Sequence, residues 1–506
     1  MSHHRVTTSP KKIVVIGAGM AGLACAARLA KRGHRVSIIE ATEFAGGKCR
    51  TEWIDGYAFD TGPSLLTLPA VYRDLFLKTG KRLEHLLELQ PVDPSFSYIF
   101  HDGKTVTFPN LSHNATVSAI SSAFGESAGR QWHELLRRAE AMWESSRESF
   151  IEGELKSPLQ LLKRRSFIRD LRTIAPWTSL SSLTDSYTDN PYLKKIISRY
   201  ATYTGSDPRQ VPAVLLTIVF VEEAFGAWHV KGGLGSLAST LESRVRDLGV
   251  DIRFNAPVKS IDLENGIARG VTLKSGESIQ SDVIVANADA SIVYNSLLPQ
   301  TRKTRSPRAA LRKATPSLSG FSLLLGLRGT SSLGHHTVYF PENYDDEFDD
   351  IFDKKRAVKD PTIYLCAPQD PLMVKREGTQ AISILVNSPR HQPKDGFDWS
   401  NQEFNQKYAE KIIDLIESRG ITIRPHIVEM HIRSPYDLQN QVLAPGGSIY
   451  GTSSNGLRST FLRAKNRSPL KNLYCVGGSA HPGGGLPLVG LSSEIVALAV
   501  LDKSSS

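Results

Sequence analysis

Residues 13–16, Ile-Val-Val-Ile, form an unbroken apolar run behind a pair of lysines. A run this short, rich in β-branched residues, predicts a strand buried on both faces. Glycines follow at Gly17, Gly19 and Gly22, and a second apolar run, residues 35–39, ends on Glu40. The pattern predicts strand, tight turn, helix and strand in that order. Across residues 118–223 the period changes, with Trp132, Leu135, Leu136, Ala139 and Met142 at helical spacing. A second glycine-bearing turn, residues 231–235, opens a helix that ends at Gly249. Alternating apolar runs broken by turns then read as strands from residue 250 to Asn287, returning to the first domain. Residues 321–327 and 381–386 read as two further strands. Near the end, residues 473–476 lead through a glycine-rich loop to a helix from about residue 489 to 501.

These elements predict an α/β chain. A split Rossmann-type domain is expected from residues 11–115, 228–300 and 441–506. A mixed α+β substrate domain is expected from the two excursions between them, 116–227 and 301–440. No window reaches the roughly eighteen consecutive apolar residues that a spanning helix needs. The nearest, residues 211–221, is too short and runs into Glu222 and Glu223.

The first turn has the spacing of a dinucleotide site. Gly17 permits the tight turn, Gly19 lets backbone approach a pyrophosphate, and Gly22 lets the helix lie close on the sheet. The amides of Met20 and Ala21 then point at the phosphates, and Glu40 is placed to accept from a ribose hydroxyl. A second glycine pair, Gly46-Gly47-Lys48-Cys49-Arg50-Thr51, precedes Asp60-Thr61-Gly62-Pro63-Ser64. A nicotinamide enzyme has no standing need for it, whereas FAD extends beyond the first unit and needs a second loop. Here the chain resembles the flavin amine oxidase and phytoene desaturase superfamily. Lys48 stands where that pattern usually has arginine, keeping positive charge near the pyrophosphate without the bidentate fork; Arg50 is placed to compensate. The resemblance implies FAD contacts at Gly47, Lys48, Thr51, Gly62, Pro63 and Ser64, and at Val258 beside the adenosine half.

The tail Gly477-Gly478-Ser479-Ala480-His481-Pro482-Gly483-Gly484-Gly485-Leu486-Pro487 is similar to the C-terminal signature of bacterial carotenoid desaturases. Its wording is nearest the hydroxyneurosporene-type 3,4-desaturases and the diaponeurosporene oxidases. The resemblance implies flavin contacts at Gly478, Pro487 and Val489. It also implies dehydrogenation of a lipophilic carotenoid polyene by hydride transfer to flavin N5. A terminal oxidase, a carotene cis–trans isomerase and an amine oxidase are the alternatives on this scaffold. Glu222, Glu223, His229 and His481 are polar candidates near the glycine motifs, and none is assigned as a catalytic base.

Charge adds one expectation. The formal net charge is +10, from 61 basic and 51 acidic residues, and the excess clusters in residues 156–174 and 302–313. On a helix, the first cluster sets Leu161, Leu162, Phe167, Ile168 and Leu171 beside five arginines and lysines, the composition of an interfacial helix on anionic lipid. A cytoplasmic protein held peripherally at a membrane is therefore expected. Basic residues interleaved with aromatics are lacking, which argues against nucleic acid. The four cysteines form no CxxC pair, so neither a metal site nor a disulfide framework is expected. His335-His336 lacks helical ligand spacing, and the acidic stretch from Tyr344 to Asp350 reads as a solvated loop.

Overall fold

The computed structural model describes residues 9–155, 167–456 and 459–502. The strand Lys12–Ile16 lies at the centre of a five-stranded parallel sheet. Arg35–Ile39 and Asp251–Arg253 extend it on one side, and Val283–Ala286 and Leu473–Cys475 on the other. Parallel strands need covered faces, and the alternation of side chains supplies both. Ile13 and Val15 point into a core built with the helices Met20–Lys31, Gly235–Asp247 and Leu486–Leu501. Val14 and Ile16 point the other way, against Ile261, Val271 and Leu273. Those residues belong to a separate antiparallel sheet of Val258–Glu264, Ile267–Leu273 and Ser278–Gln280. Of the strands expected to return to the nucleotide domain, Asp251–Arg253 and Val283–Ala286 join its parallel sheet and the others pack on its face.

The helix Met20–Lys31 has small residues at most of its buried positions, including Ala21, Gly22, Ala24 and Ala27. That composition lets the sheet and two neighbouring helices approach it closely.

A second, seven-stranded sheet runs in the order Ile427–Arg433, Ser319–Arg328, Thr379–Ser388, Ile363–Cys366, His336–Tyr339, Phe96–Ile99, Thr105–Phe108. Its strand Ser319–Arg328 again divides by alternation. Phe321, Leu323 and Leu325 enter a core with Trp399, Tyr408 and Ile412 beneath the helix Gln402–Ser418, while Gly320, Ser322 and Leu324 face an internal cavity. Helices between His113 and Phe225 form a third mass around Trp132, Ile196 and Leu216.

Three expectations change. Phe96–Ile99 and Thr105–Phe108, expected in the nucleotide domain, belong to the second sheet through Thr337↔Ser97 and Tyr339↔Ile99. The reason is aromatic: Phe96, Tyr98 and Phe108 share a core with Trp132 and Phe340. Conversely, Leu311 of the helix Arg305–Lys313 packs against the nucleotide fold. The acidic stretch is not a solvated loop. It forms the helical turns Asp345–Phe348 and Asp349–Asp353, with Glu347 and Asp350 buried. Glu347 accepts from Thr362 N (2.6 Å) and Asn387 Nδ2 (2.7 Å), and Asp350 pairs with Arg356 (2.9 Å). Burial pushes the Glu347 carboxyl up to about 7.

Of the first basic cluster, residues 156–166 lie outside the described residues, and Phe167–Ile174 is helical. In the second, Arg308 is buried and donates to Leu298 O (2.7 Å), so that charge serves the fold. No helix among the described residues is long and apolar enough to cross a membrane.

Candidate FAD and substrate site

A cavity of about 990 Å³ lies between the two sheets and is lined by both. On the nucleotide side, Lys12–Ile16 ends at Gly17, whose φ of +96° is a left-handed conformation open to glycine. The helix Met20–Lys31 starts at Gly19 with no side-chain cap of its own. A Cβ on Gly22 would meet Gly17 O at 2.2 Å, so only glycine lets the helix begin this close to the strand end. Asn287, at the end of the neighbouring strand, closes the turn. With its carbonyl toward the helix it accepts from Gly19 N (3.1 Å) and Gly22 N (3.2 Å).

Glu40 Oε2 accepts from Ala18 N (2.7 Å), and Oε1 accepts from Thr42 N (2.8 Å) and Thr42 Oγ1 (2.9 Å). The carboxylate is thus fixed on the cavity wall beside Gly17, Gly19, Met20, Ala21 and Val258. Gly22 does not line the cavity; its part is the close packing.

The second glycine loop is tied to the first by Gly46 N donating to Ala18 O (2.9 Å). Gly47, Lys48, Gly62, Pro63 and Ser64 line the cavity, and Thr51 does not. Thr51 Oγ1 donates to Asp60 Oδ1 (2.6 Å) and accepts from Gly235 N (2.8 Å), so it anchors the helix Gly235–Asp247 instead. Asp60 also accepts from Leu234 N (2.8 Å), and burial pushes its carboxyl up to about 7. Lys48 Nζ donates to the carbonyls of Ser448 (2.8 Å) and Ile449 (2.6 Å). Its charge is directed at that chain crossing, and burial lowers the ammonium to about 8. Arg50 stacks on Phe44 (3.9 Å) and pairs with Glu52 (3.2 Å).

The C-terminal loop brings Gly478, Pro487 and Val489 to the cavity, and the helix Leu486–Leu501 starts there with no side-chain cap. Arg463, which sequence reasoning missed, is buried beneath this loop. It donates to Gly478 O (2.6 Å) and Thr452 O (2.9 Å), and burial lowers it to about 10. Asn287 carries no local signal because its partners lie far away in sequence, and Arg463 none because its partners, Thr452 and Gly478, are backbone carbonyls that any residue offers. Two helix N-termini without side-chain caps, a glycine cradle and a strand-end carboxylate on one wall fit FAD.

The four polar candidates do not line the cavity. Glu222 is buried and accepts from Tyr200 Oη (2.6 Å) and Tyr203 Oη (2.8 Å), and burial raises its carboxyl. Glu223 pairs with His113 and accepts from Trp132 Nε1 (3.0 Å). His229 Nε2 lies 2.8 Å from Asp370 Oδ2. His481 Nε2 donates to Gly153 O (2.9 Å), and burial drives the ring down to about 4, leaving it neutral. The fold sets Cys366 across from His336 in the second sheet. Potential ligand atoms of His335, His336 and Cys366 lie within 4.8 Å of one another, a grouping invisible to sequence spacing.

On the far side, the cavity is walled by Gly320, Ser322, Leu324 and Leu385 of the second sheet, with Arg199, Tyr203 and Tyr364 above. Ser64 Oγ and Tyr364 Oη lie 2.8 Å apart, joining the flavin-side loop to that wall. Most of the exposed cavity wall is apolar.

Residues 20–329 match the family described as flavin containing amine oxidoreductase. The chain is 32% identical to a 4,4'-diapolycopene oxygenase of Methylomonas sp, covering 96% of this chain and 97% of that one. It is 31% identical to the hydroxyneurosporene desaturase of Rubrivivax gelatinosus, covering 98% and 94%. Among solved structures, a putrescine oxidase variant superposes with a TM-score of 0.66 at 13% identity over 98% of this chain and 99% of that chain. The CLA-producing fatty acid isomerase of P. acnes gives 0.61 at 15% identity over 97% and 99%. At those identities the likeness shows the fold alone.

Proposed function

The chain belongs to the carotenoid desaturase group of the flavin-containing amine oxidoreductases, and from that premise we propose that it dehydrogenates a carotenoid polyene. FAD is its cofactor, accepting two electrons as a hydride from an allylic methylene. The observation that carries the reading is the cavity itself. One wall is glycine loops and helix N-termini, and the other is the apolar face of a sheet.

A polyene offers little to charged groups. Its binding comes from burial, at about 0.8 kcal/mol per CH2 removed from water. Gly320 and Ser322 keep the sheet face low where the chain would lie, and Leu324 and Leu385 supply apolar contact. The glycine loops hold the cofactor's sugar and phosphates, while the tail loop fixes the flavin end. Developing positive charge spreads along the conjugated chain, so the neighbouring proton leaves without a strong base.

The substrate class is stored in lipid, which supports a peripheral position at the cytoplasmic face of a membrane. The exposed Trp177 and Arg169 support the same reading. Expression in a carotenoid-producing host, followed by pigment chromatography, tests the activity. A longer chromophore is the expected product. An added carbonyl points to terminal oxidation, and an isomer of unchanged mass overturns dehydrogenation.

A further inference from the structure

Arg199 ends the helix Pro191–Arg199 and lines the sheet-side end of the cavity, yet it is only 6% exposed. Its guanidinium is ringed by aromatic faces: Phe96 (4.5 Å), Tyr203 (5.1 Å), Tyr364 (5.8 Å), Tyr98 (5.9 Å) and Tyr200 (6.0 Å). Ring faces attract the charge but do not satisfy in-plane N–H donors. Among the described residues no carboxylate forms an ion pair with it. The buried acid of this cluster, Glu222, acts on the guanidinium through its charge, but its hydrogen bonds go to Tyr200 and Tyr203. Arg199 Nη1 is buried without a hydrogen-bond partner.

Two other groups lining the same cavity are in that condition. The hydroxyls of Tyr344 and Thr362 are buried beside each other and Glu347, and neither makes a hydrogen bond of good geometry. Natural folds rarely leave buried polar groups unmet, least of all a charged one. A hydrocarbon terminus cannot meet them, since it accepts no hydrogen bond. A carbonyl or carboxylate oxygen can, and a planar guanidinium suits it.

We propose that Arg199 grips an oxygen-bearing end group, so that the preferred substrates are polyenes already carrying a carbonyl or carboxylate at one terminus. This rests on the polyene-dehydrogenating reading above and narrows it. Arg199 here binds and discriminates. It takes no part in the redox step.

Two measurements test it. In the first, purified FAD-loaded enzyme is given a hydrocarbon polyene and its terminal aldehyde of equal length. The wild type is expected to favour the aldehyde at least tenfold in kcat/KM. In Arg199→Met that ratio falls toward one, and in Arg199→Lys it is intermediate. An unchanged ratio in Arg199→Met overturns the proposal. So does a shifted flavin reduction potential with selectivity intact, which would assign Arg199 to the cofactor.

The second measurement needs only the wild type. A long all-trans polyene carboxylate and its methyl ester are titrated by fluorescence quenching. At least tenfold tighter binding of the carboxylate is expected, and equal affinity overturns the proposal. Carboxylate preference without turnover of any polyene would sink the desaturase reading and leave the role of Arg199 standing. The substrate-free melting temperature separates the two roles of the residue. Arg199→Met should melt no lower than wild type if the unmet charge is kept for a ligand. A marked fall would make Arg199 structural.

Discussion

Gly22→Ala tests the cofactor turn at its tightest point. The added Cβ would lie 2.2 Å from Gly17 O and 2.8 Å from the tip of the Asn287 side-chain amide. Ordinary C···O contacts are at least ~3.3 Å, so the helix must retreat by about 1 Å. It has little room to do so, because the sheet and the helices Gly235–Asp247 and Leu486–Leu501 share its core. Overpacking of this kind costs about 1–3 kcal/mol. Weakening the two Asn287 hydrogen bonds adds about 1 kcal/mol. If about 3 kcal/mol of this strain falls on the cofactor-competent turn, FAD binding weakens roughly 100-fold. Titration of apoprotein with FAD, read by flavin fluorescence, measures that change. Gly33→Ala is the control. Its φ is positive (+89°), unlike that of Gly22, but nothing lies within 4 Å of its added Cβ, so it should lose about 1 kcal/mol of stability with FAD affinity unchanged. A Gly22→Ala protein that binds FAD within threefold of wild type would refute the packing argument.

Glu40→Ala strips the acceptor from Ala18 N and Thr42 N. Unmet buried donors cost about 1–3 kcal/mol, so FAD affinity should fall at least ~10-fold, measured by the same titration. Trp399→Ala empties a site where the indole is fully buried among Phe321, Phe397, Phe404 and Tyr408 and donates to Pro389 O. Denaturant unfolding should show a loss of about 3–5 kcal/mol. His113 is held above its usual range by its hydrogen bond to Glu223, with Glu140 adding to the field and His133 on its other nitrogen. A raised histidine stabilises fully below the unfolded value of about 6.5, and the gain disappears as pH rises through the folded value. His113→Asn should therefore melt lower than wild type in mild acid, by on the order of 1 kcal/mol after solvent screening, and the two should converge in alkali. A gap that widens with pH would contradict that sign.

The cofactor half was readable because its signals are consecutive. Gly17, Gly19, Gly22 and Glu40 fall within one strand–helix–strand unit, and spacing alone sets their geometry. Thr51 obeyed the same spacing but turned to Asp60 and Gly235, since a motif fixes backbone position better than side-chain direction. Asn287 acts on a part of the chain that only the fold brings near, as Arg199 does on Phe96, Tyr98 and Tyr364, while Arg463 binds nearby backbone carbonyls that no side chain marks. The acidic stretch misled because charge suggests solvent. Thr362 and Asn387, which receive Glu347, are too distant to be foreseen, and nothing in the sequence singles out Arg356 as the partner of Asp350. Residues 96–108 alternate as strands would in either sheet. Only the aromatic core with Trp132 and Phe340 decides between them.

The strand Leu473–Cys475 pairs with Val283–Ala286, and the loop after it completes the cavity. A ribosome adds about 5–20 residues per second. The first strand–helix–strand unit therefore waits roughly 25–100 s before its sheet edge, the covering helix Leu486–Leu501 and the flavin-end loop exist. Through that interval the half-built sheet exposes a bare strand edge and one apolar face of the helix Met20–Lys31. Cofactor loading consequently follows synthesis of the strand Leu473–Cys475 and the loop after it. A chain cut short by even thirty residues would emerge as a client for chaperones, not as an empty enzyme.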